Sequence, residues 1–124
     1  MKLTILGAPR TKKNHGIITN RGANPRILPS PQFSAWNRIA QMQLAKQRTA
    51  ANSWVTIMTP VNVSAAFYRE KLTGDAVGYY QALADALEEG RIVENDALIV
   101  SWDGSRLLKD AKNPRVEVEI TEAI

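Results

Sequence analysis

The chain has 124 residues, no cysteine and one histidine, with 16 Lys and Arg against 12 Asp and Glu for a formal charge of +4. The missing thiols exclude disulfides, a cysteine nucleophile and thiolate zinc sites, while the positive balance is compatible with a polyanionic partner without requiring one. No apolar run approaches the roughly 18 residues of a membrane span, and the apolar start is too short for a signal peptide, so a single domain in the cytoplasm with no membrane contact is expected.

Lys2 to Gly7 reads as a short strand ended by Gly7 and Pro9. A basic loop follows, Arg10 to His15, with Lys12, Lys13 and Asn14 as hydrogen-bonding groups. Arg21 to Pro29 then carries Gly22, Pro25, Pro29, Arg21 and Arg26, the composition of a hairpin or arm. It reads either as a solvated loop or as a segment that neutralises phosphates. Ser30 followed by Pro31 opens a helix, a capping hydroxyl before a first-turn proline. Phe33, Trp36, Ile39, Ala40 and Leu44 mark its apolar stripe through about Gln47. Trp54 to Met58 is β-branched and apolar but is interrupted by Pro60. Val61, Val63, Ala65 and Phe67 alternate as on a half-buried central strand, which leads into Arg69, Glu70 and Lys71.

Asp75 is placed to cap a second helix, Ala76 to Glu89, stopped by Gly90. Val77, Tyr80, Leu83, Ala84 and Leu87 recur on one face, with Gln81, Asp85 and Glu88 on the wetter one. Such a helix is roughly 21 Å long, and Gly90 to Asn95 extended spans about the same distance, so the returning chain can bring Asp96 back beside Asp75. Leu98 to Trp102 reads as a strand. Asp103, Gly104 and Ser105 form a turn, whose Asp-Gly pair has the look of a hairpin. A basic patch, Arg106, Lys109 and Lys112, precedes a last strand, Arg115 to Thr121, with Val116, Val118 and Ile120 on one face and Glu117 and Glu119 on the other. The fold class is therefore α/β or α+β, a mixed sheet packed with two main helices.

Carboxylates without cysteine favour oxygen coordination of Mg²⁺, with Mn²⁺ as a substitute, over zinc chemistry. Such an ion polarises a phosphodiester, with nearby Lys or Arg balancing charge. Asp75 and Asp96 are the first candidates and Asp103 a third, each with a plainer reading as a cap or turn residue. Asp85 lies too far along the helix to share an ion with Asp75. Lone His15 reads first as a surface or phosphate-contacting group. Trp36, Trp54 and Trp102 stand among aliphatics and read as core before base-stacking platforms. No serine-nucleophile signature and no glycine-rich phosphate loop is present.

These residues resemble the RusA family of Holliday junction resolvases. There a strand runs into an Asp-x-Asp-Asn segment, then a helix with a lysine one turn on and Asp-Ala-Leu near its end. A loop with Asp-Asp or Asn-Asp then enters the next strand. The matching text here is Asp75, Asp85-Ala86-Leu87, Asn95-Asp96-Ala97, the strand to Trp102 and the closing Val-Glu-Val-Glu-Ile-Thr-Glu. Gly7-Ala8-Pro9 and Lys12-Lys13-Asn14 look like the family's opening. The resemblance implies a homodimer that binds four-way DNA junctions and cuts them symmetrically with Mg²⁺, through aspartates clustered at a basic face. By position it gives Asp75 and Asp96 the metal and catalytic roles; Asp103 stays the candidate third carboxylate, and Lys12, Lys13, Arg69 and Lys71 are the expected phosphate contacts.

The chain departs from that pattern in one place. Anchored on Asp85-Ala86-Leu87, Asp75 takes the first aspartate, Val77 the second and Gln81 the lysine. Shifted by two residues, Asp75 takes the second and Tyr79 the lysine. Either way one carboxylate and the lysine are absent, leaving Glu70, Asp103, water and Lys71 as replacements. The absence also opens a second reading, a junction- or nucleic-acid-binding protein of the same fold that does not cut. A third reading is an interaction module whose carboxylates are only caps and turns.

Overall fold

A computed structural model describes residues 1–11, 18–19, 26–27, 30–51 and 55–123. The elements are β1 (Lys2–Leu6), β2 (Ile18–Thr19), β3 (Arg26–Ile27), α1 (Pro31–Ala50), β4 (Val61–Arg69), α2 (Ala76–Glu89), a 3-10 turn (Asp96–Leu98), β5 (Ile99–Ser101), β6 (Arg106–Lys109) and β7 (Arg115–Glu122). The class is α+β. Strands β1, β7 and β4 pair antiparallel in that order, and β5 and β6 both add parallel to the far edge of β4. Strands β2 and β3 form a separate antiparallel pair, Ile18 opposite Ile27, with β3 inside the Arg21 to Pro29 stretch that reads as a hairpin or arm and β2 just before it.

The central strand follows its alternation residue for residue, burying Val61, Val63, Ala65 and Phe67. Leu3 and Ile5 of β1 and Val116, Val118 and Ile120 of β7 add to the same face. Against it α1 lays Phe33, Trp36, Ala40 and Leu44, and α2 lays Gly78, Tyr79, Ala82, Leu83, Ala86 and Leu87. Fully burying a side chain such as Leu83 or Phe67 contributes roughly 1.5–3 kcal/mol. Two expectations shift. Ile39 is 55 % exposed, and the buried face of α2 is rotated, so that Val77 is 62 % exposed while Tyr80 and Ala84 are only half-buried.

The start of α1 is capped as its sequence predicts, Ser30 Oγ accepting from the Phe33 N–H with Pro31 at the first position. Asp75 does the same for α2, accepting the Gly78 N–H at 3.0 Å, and the helix stops at Gly90. The turn at Asp103 does not reverse the chain. Because β5 and β6 run the same way along β4, it is a bulge in one edge strand, with the register slipping between Val61 and Asn62. Side chains repair the broken ladder there. Asn62 Oδ1 accepts from the Asp103 N–H and Asn62 Nδ2 donates to the Asp103 carbonyl, while Ser105 Oγ accepts from the Ala65 N–H and donates to the Val63 carbonyl.

Candidate functional site

Three of the charged candidates, Arg69, Lys71 and Asp75, come together at one end of α2. Strand β4 delivers Arg69 as its last residue, the loop 70–75 carries Glu70 and Lys71, and Asp75 opens the helix. The chain leaving β1 passes beside them: a Cβ added at Gly78 would stand 2.7 Å from Asp75 Oδ1 and 3.0 Å from the Thr11 Cβ. Pro9, Arg10, Arg69, Glu70, Lys71, Thr73 and Tyr79 line a groove of about 260 Å³. Arg10 and Glu70 pair across its rim at 3.0 Å, both half-exposed.

Arg69 is the unusual member. Its side chain points to the helix face of the sheet and the residue is only 8 % exposed. Its Nε donates to the Leu108 carbonyl at 3.2 Å and its Nη1 to the Thr73 carbonyl at 3.0 Å. The ring of Tyr79 lies 5.8 Å away. Among the described residues, which include all 12 acids of the chain, none pairs with it. A buried charge normally has a countercharge, because desolvation otherwise disfavours it by several kcal/mol. Arg69 instead has neutral acceptors that fix the guanidinium in place and leave its charge to the groove. The N-terminal end of α2 adds the positive pole of its backbone dipole.

Tyr79 closes the floor. Its Oη donates to the same Thr73 carbonyl at 2.8 Å, so two donors hold one oxygen. Burial pushes its phenol above the usual tyrosine range, against the opposing pull of the Arg69 charge. In the sequence Arg10 stands only as part of a basic loop and Tyr79 only at a position aligned with the family's lysine. Their contributions depend on contacts with β4 and the loop after it, which no local pattern reveals.

The three candidate aspartates do not converge. Asp75 caps the first turn of α2, whereas the backbone N–H of Asp96 donates to Glu88 Oε1, in the last turn. From Asp75 to Glu88 the helix rises about 20 Å. The reason is the parallel pairing of β5 with β4: β4 ends where α2 begins, so a strand running the same way starts where α2 ends. The segment expected to reach back instead folds under the helix, with the Ile92 and Val93 N–H groups donating to Leu87 and the Glu94 N–H to Ile57. Asp103 sits in the bulge opposite Asn62, at the starting end of β4. Among the described residues no group of three His, Asp or Glu side chains is placed to hold a metal ion. Among the described residues of one copy, then, no such set is gathered around Asp75 or Asp96 to hold Mg²⁺. Lys12 and Lys13 lie outside the described residues.

Between the two acids, along the open side of α2, Val77, Tyr80, Gln81, Ala84, Asp96, Ile99 and Trp102 line a second groove of about 230 Å³. Tyr80 and Trp102 stack there at 4.6 Å with rings 5° from parallel. No helix of the described residues is long and apolar enough to cross a membrane. In comparison with known proteins, the chain matches no family model and no curated protein.

Proposed function

We propose that the chain is a RusA-like endonuclease of branched DNA such as the Holliday junction, a cytoplasmic homodimer using Mg²⁺, with Mn²⁺ as a substitute. The observation that carries its DNA-binding half is the buried guanidinium of Arg69, which has no carboxylate partner and faces a groove shared with Arg10 and Lys71. A phosphate supplies the missing countercharge, and a fixed planar guanidinium suits it better than a flexible ammonium does. Lys12 and Lys13 follow Thr11 directly in the sequence and extend the same basic run. The nuclease half rests on the short motifs around Asp75, Asp85 and Asp96.

Asp75 and Asp96 come together only between copies. A two-fold axis crossing the middle of α2 lays two such helices antiparallel, which brings Asp75 toward Asp96 of the partner subunit. Exposed Val77 and the half-buried Tyr80, Ala84, Ile99 and Trp102 line the side of α2 on which that axis falls. The separation within one copy is equally what favours the second reading, a junction-binding protein that does not cut.

A synthetic four-way junction tests both halves. Binding should fall steeply with salt, and Arg69→Ala should weaken it about tenfold or more. Nicking in Mg²⁺ that disappears in EDTA and in Asp75→Asn and Asp96→Asn supports the enzyme. Salt-sensitive binding with no metal-dependent nicking selects the binding protein instead, and the absence of binding refutes both.

A further inference from the structure

Leu72 sits between Lys71 and Thr73, two residues that line the basic groove, and is 71 % exposed. Isolated exposed leucines are common on protein surfaces. The setting separates this one from the rest. On its N-terminal side Arg69 is tied into the sheet, opposite Lys109, with its carbonyl accepting the Asp110 N–H at 2.9 Å. On its C-terminal side the Thr73 carbonyl takes both the Arg69 and the Tyr79 donors. Gly74 follows at φ +85°, pressed so closely on the Tyr79 ring that a Cβ would meet it at 2.8 Å. Asp75 then caps α2. The loop is anchored at both ends, and its one large apolar side chain stays in water beside the cationic groove.

We propose that Leu72 is a wedge for DNA that is already opened, entering a base step at a branch point while the groove holds the neighbouring phosphate. The inference rests on the phosphate-binding reading of that groove. Apolar side chains inserted between base steps do this in many proteins that kink DNA, at the cost of unstacking the step. In a plain duplex that cost is met in full. At a branch point the stacking is already interrupted, so the same side chain gains apolar contact at little cost. Leu72 thereby discriminates branched from linear DNA, while Arg69, Lys71 and Arg10 bind the backbone of either.

The test uses the full chain in EDTA with two probes, a four-way junction carrying 2-aminopurine beside the branch point and a linear duplex of the same sequence. The wild-type protein should raise the fluorescence of the junction only. Leu72→Ser should abolish the rise and lower the junction-to-duplex affinity ratio about tenfold, whereas Leu72→Phe should keep both. Because Leu72 is exposed, both variants should melt with the wild type, which separates lost recognition from lost fold. An undiminished rise and ratio in Leu72→Ser, or no rise with the wild type, overturns the wedge. Arg69→Ala distinguishes the two levels: if it leaves salt-sensitive binding to both probes intact, the groove reading itself fails. If it weakens both probes while Leu72→Ser changes nothing, only the wedge fails.

Discussion

A guanidinium buried without a carboxylate is held in the folded state by neutral acceptors, the Leu108 and Thr73 carbonyls, that only partly replace its hydration. Replacing such a charge with an apolar side chain of similar length is often neutral or stabilising. Arg69→Met is therefore expected to shift unfolding stability by no more than about 1 kcal/mol in either direction. The same substitution should cost the chain its affinity for polyanions. Denaturant melts and salt-titrated DNA binding on the same preparation read the two effects, and a large loss of both would make Arg69 a structural residue. The nearby Arg10–Glu70 pair is half-exposed, and its contribution lies between about 0 and 1 kcal/mol. Tyr79 titrates in the opposite sense from a paired acid. Its phenol is raised above the ordinary value near 10.0, so folded and unfolded chains hold this proton equally below that pH. Above it the unfolded chain ionises first, and stability falls as pH rises. Tyr79→Phe should remove that alkaline loss, together with the most alkaline step in the tyrosinate absorbance titration. If the step lost lies near 10.0 instead, Tyr79 ionises normally.

Helix α1 is more than a lid on the core. Strand β1 lies at the edge of the sheet, and on its open side two glutamines of α1, one turn apart, take the place of a neighbouring strand. Gln47 accepts from the Thr4 N–H at 2.7 Å and donates to the Thr4 carbonyl at 2.6 Å, and Gln43 does the same for Leu6 at 2.7 and 2.9 Å. Unpaired strand edges invite pairing with other chains, and these amides blunt this one. Gln47→Ala should destabilise by about 1–3 kcal/mol, because it strands a part-buried donor and acceptor. The double variant with Gln43→Ala should also self-associate, which light scattering would detect; a stable, non-associating double variant would show that the amides are dispensable. Nothing local in the sequence announces a strand beside these two glutamines, so their role is not legible there. Capping is different, and Asp75, Gly90, Ser30 and Pro31 set the helix limits legibly because a cap acts within a few residues. The buried face of α2 differs from the one its large apolar residues mark. Gly78, Tyr79, Ala82 and Ala86 are buried with Leu83 and Leu87, a face turned by about one residue from the stripe of Val77, Tyr80 and Ala84, and which of two adjacent faces meets the sheet depends on packing partners distant in sequence. The bulge at Asp103 belongs to the same class, since its repair by Asn62 and Ser105 requires knowing that β4 lies alongside.

At the scale of the molecule, chain length alone let Asp96 return to Asp75, and the direction of β5 decided otherwise. A parallel crossover sets the Asp96 backbone beside the Glu88 side chain while Asp75 caps the first turn of α2, so the site proposed above joins the two acids between molecules. Mixing provides a decisive test. If each site combines Asp75 of one copy with Asp96 of the partner subunit, then Asp75→Asn and Asp96→Asn are each inactive alone but complement one another. A mixed dimer carries one site with both acids and one with neither. Random exchange makes about half of the dimers mixed, so nicking of a four-way junction in Mg²⁺ should recover to about one-quarter of the wild-type level. Sites built within one copy would recover nothing on mixing, since every copy then carries a lesion. Val77→Asp, which places a charge at the exposed residue of the apolar groove along α2, should weaken the dimer and abolish that recovery while leaving salt-dependent DNA binding by Arg69 in place. Loss of nicking with the dimer still intact would move the interface elsewhere and with it the pairing of Asp75 and Asp96.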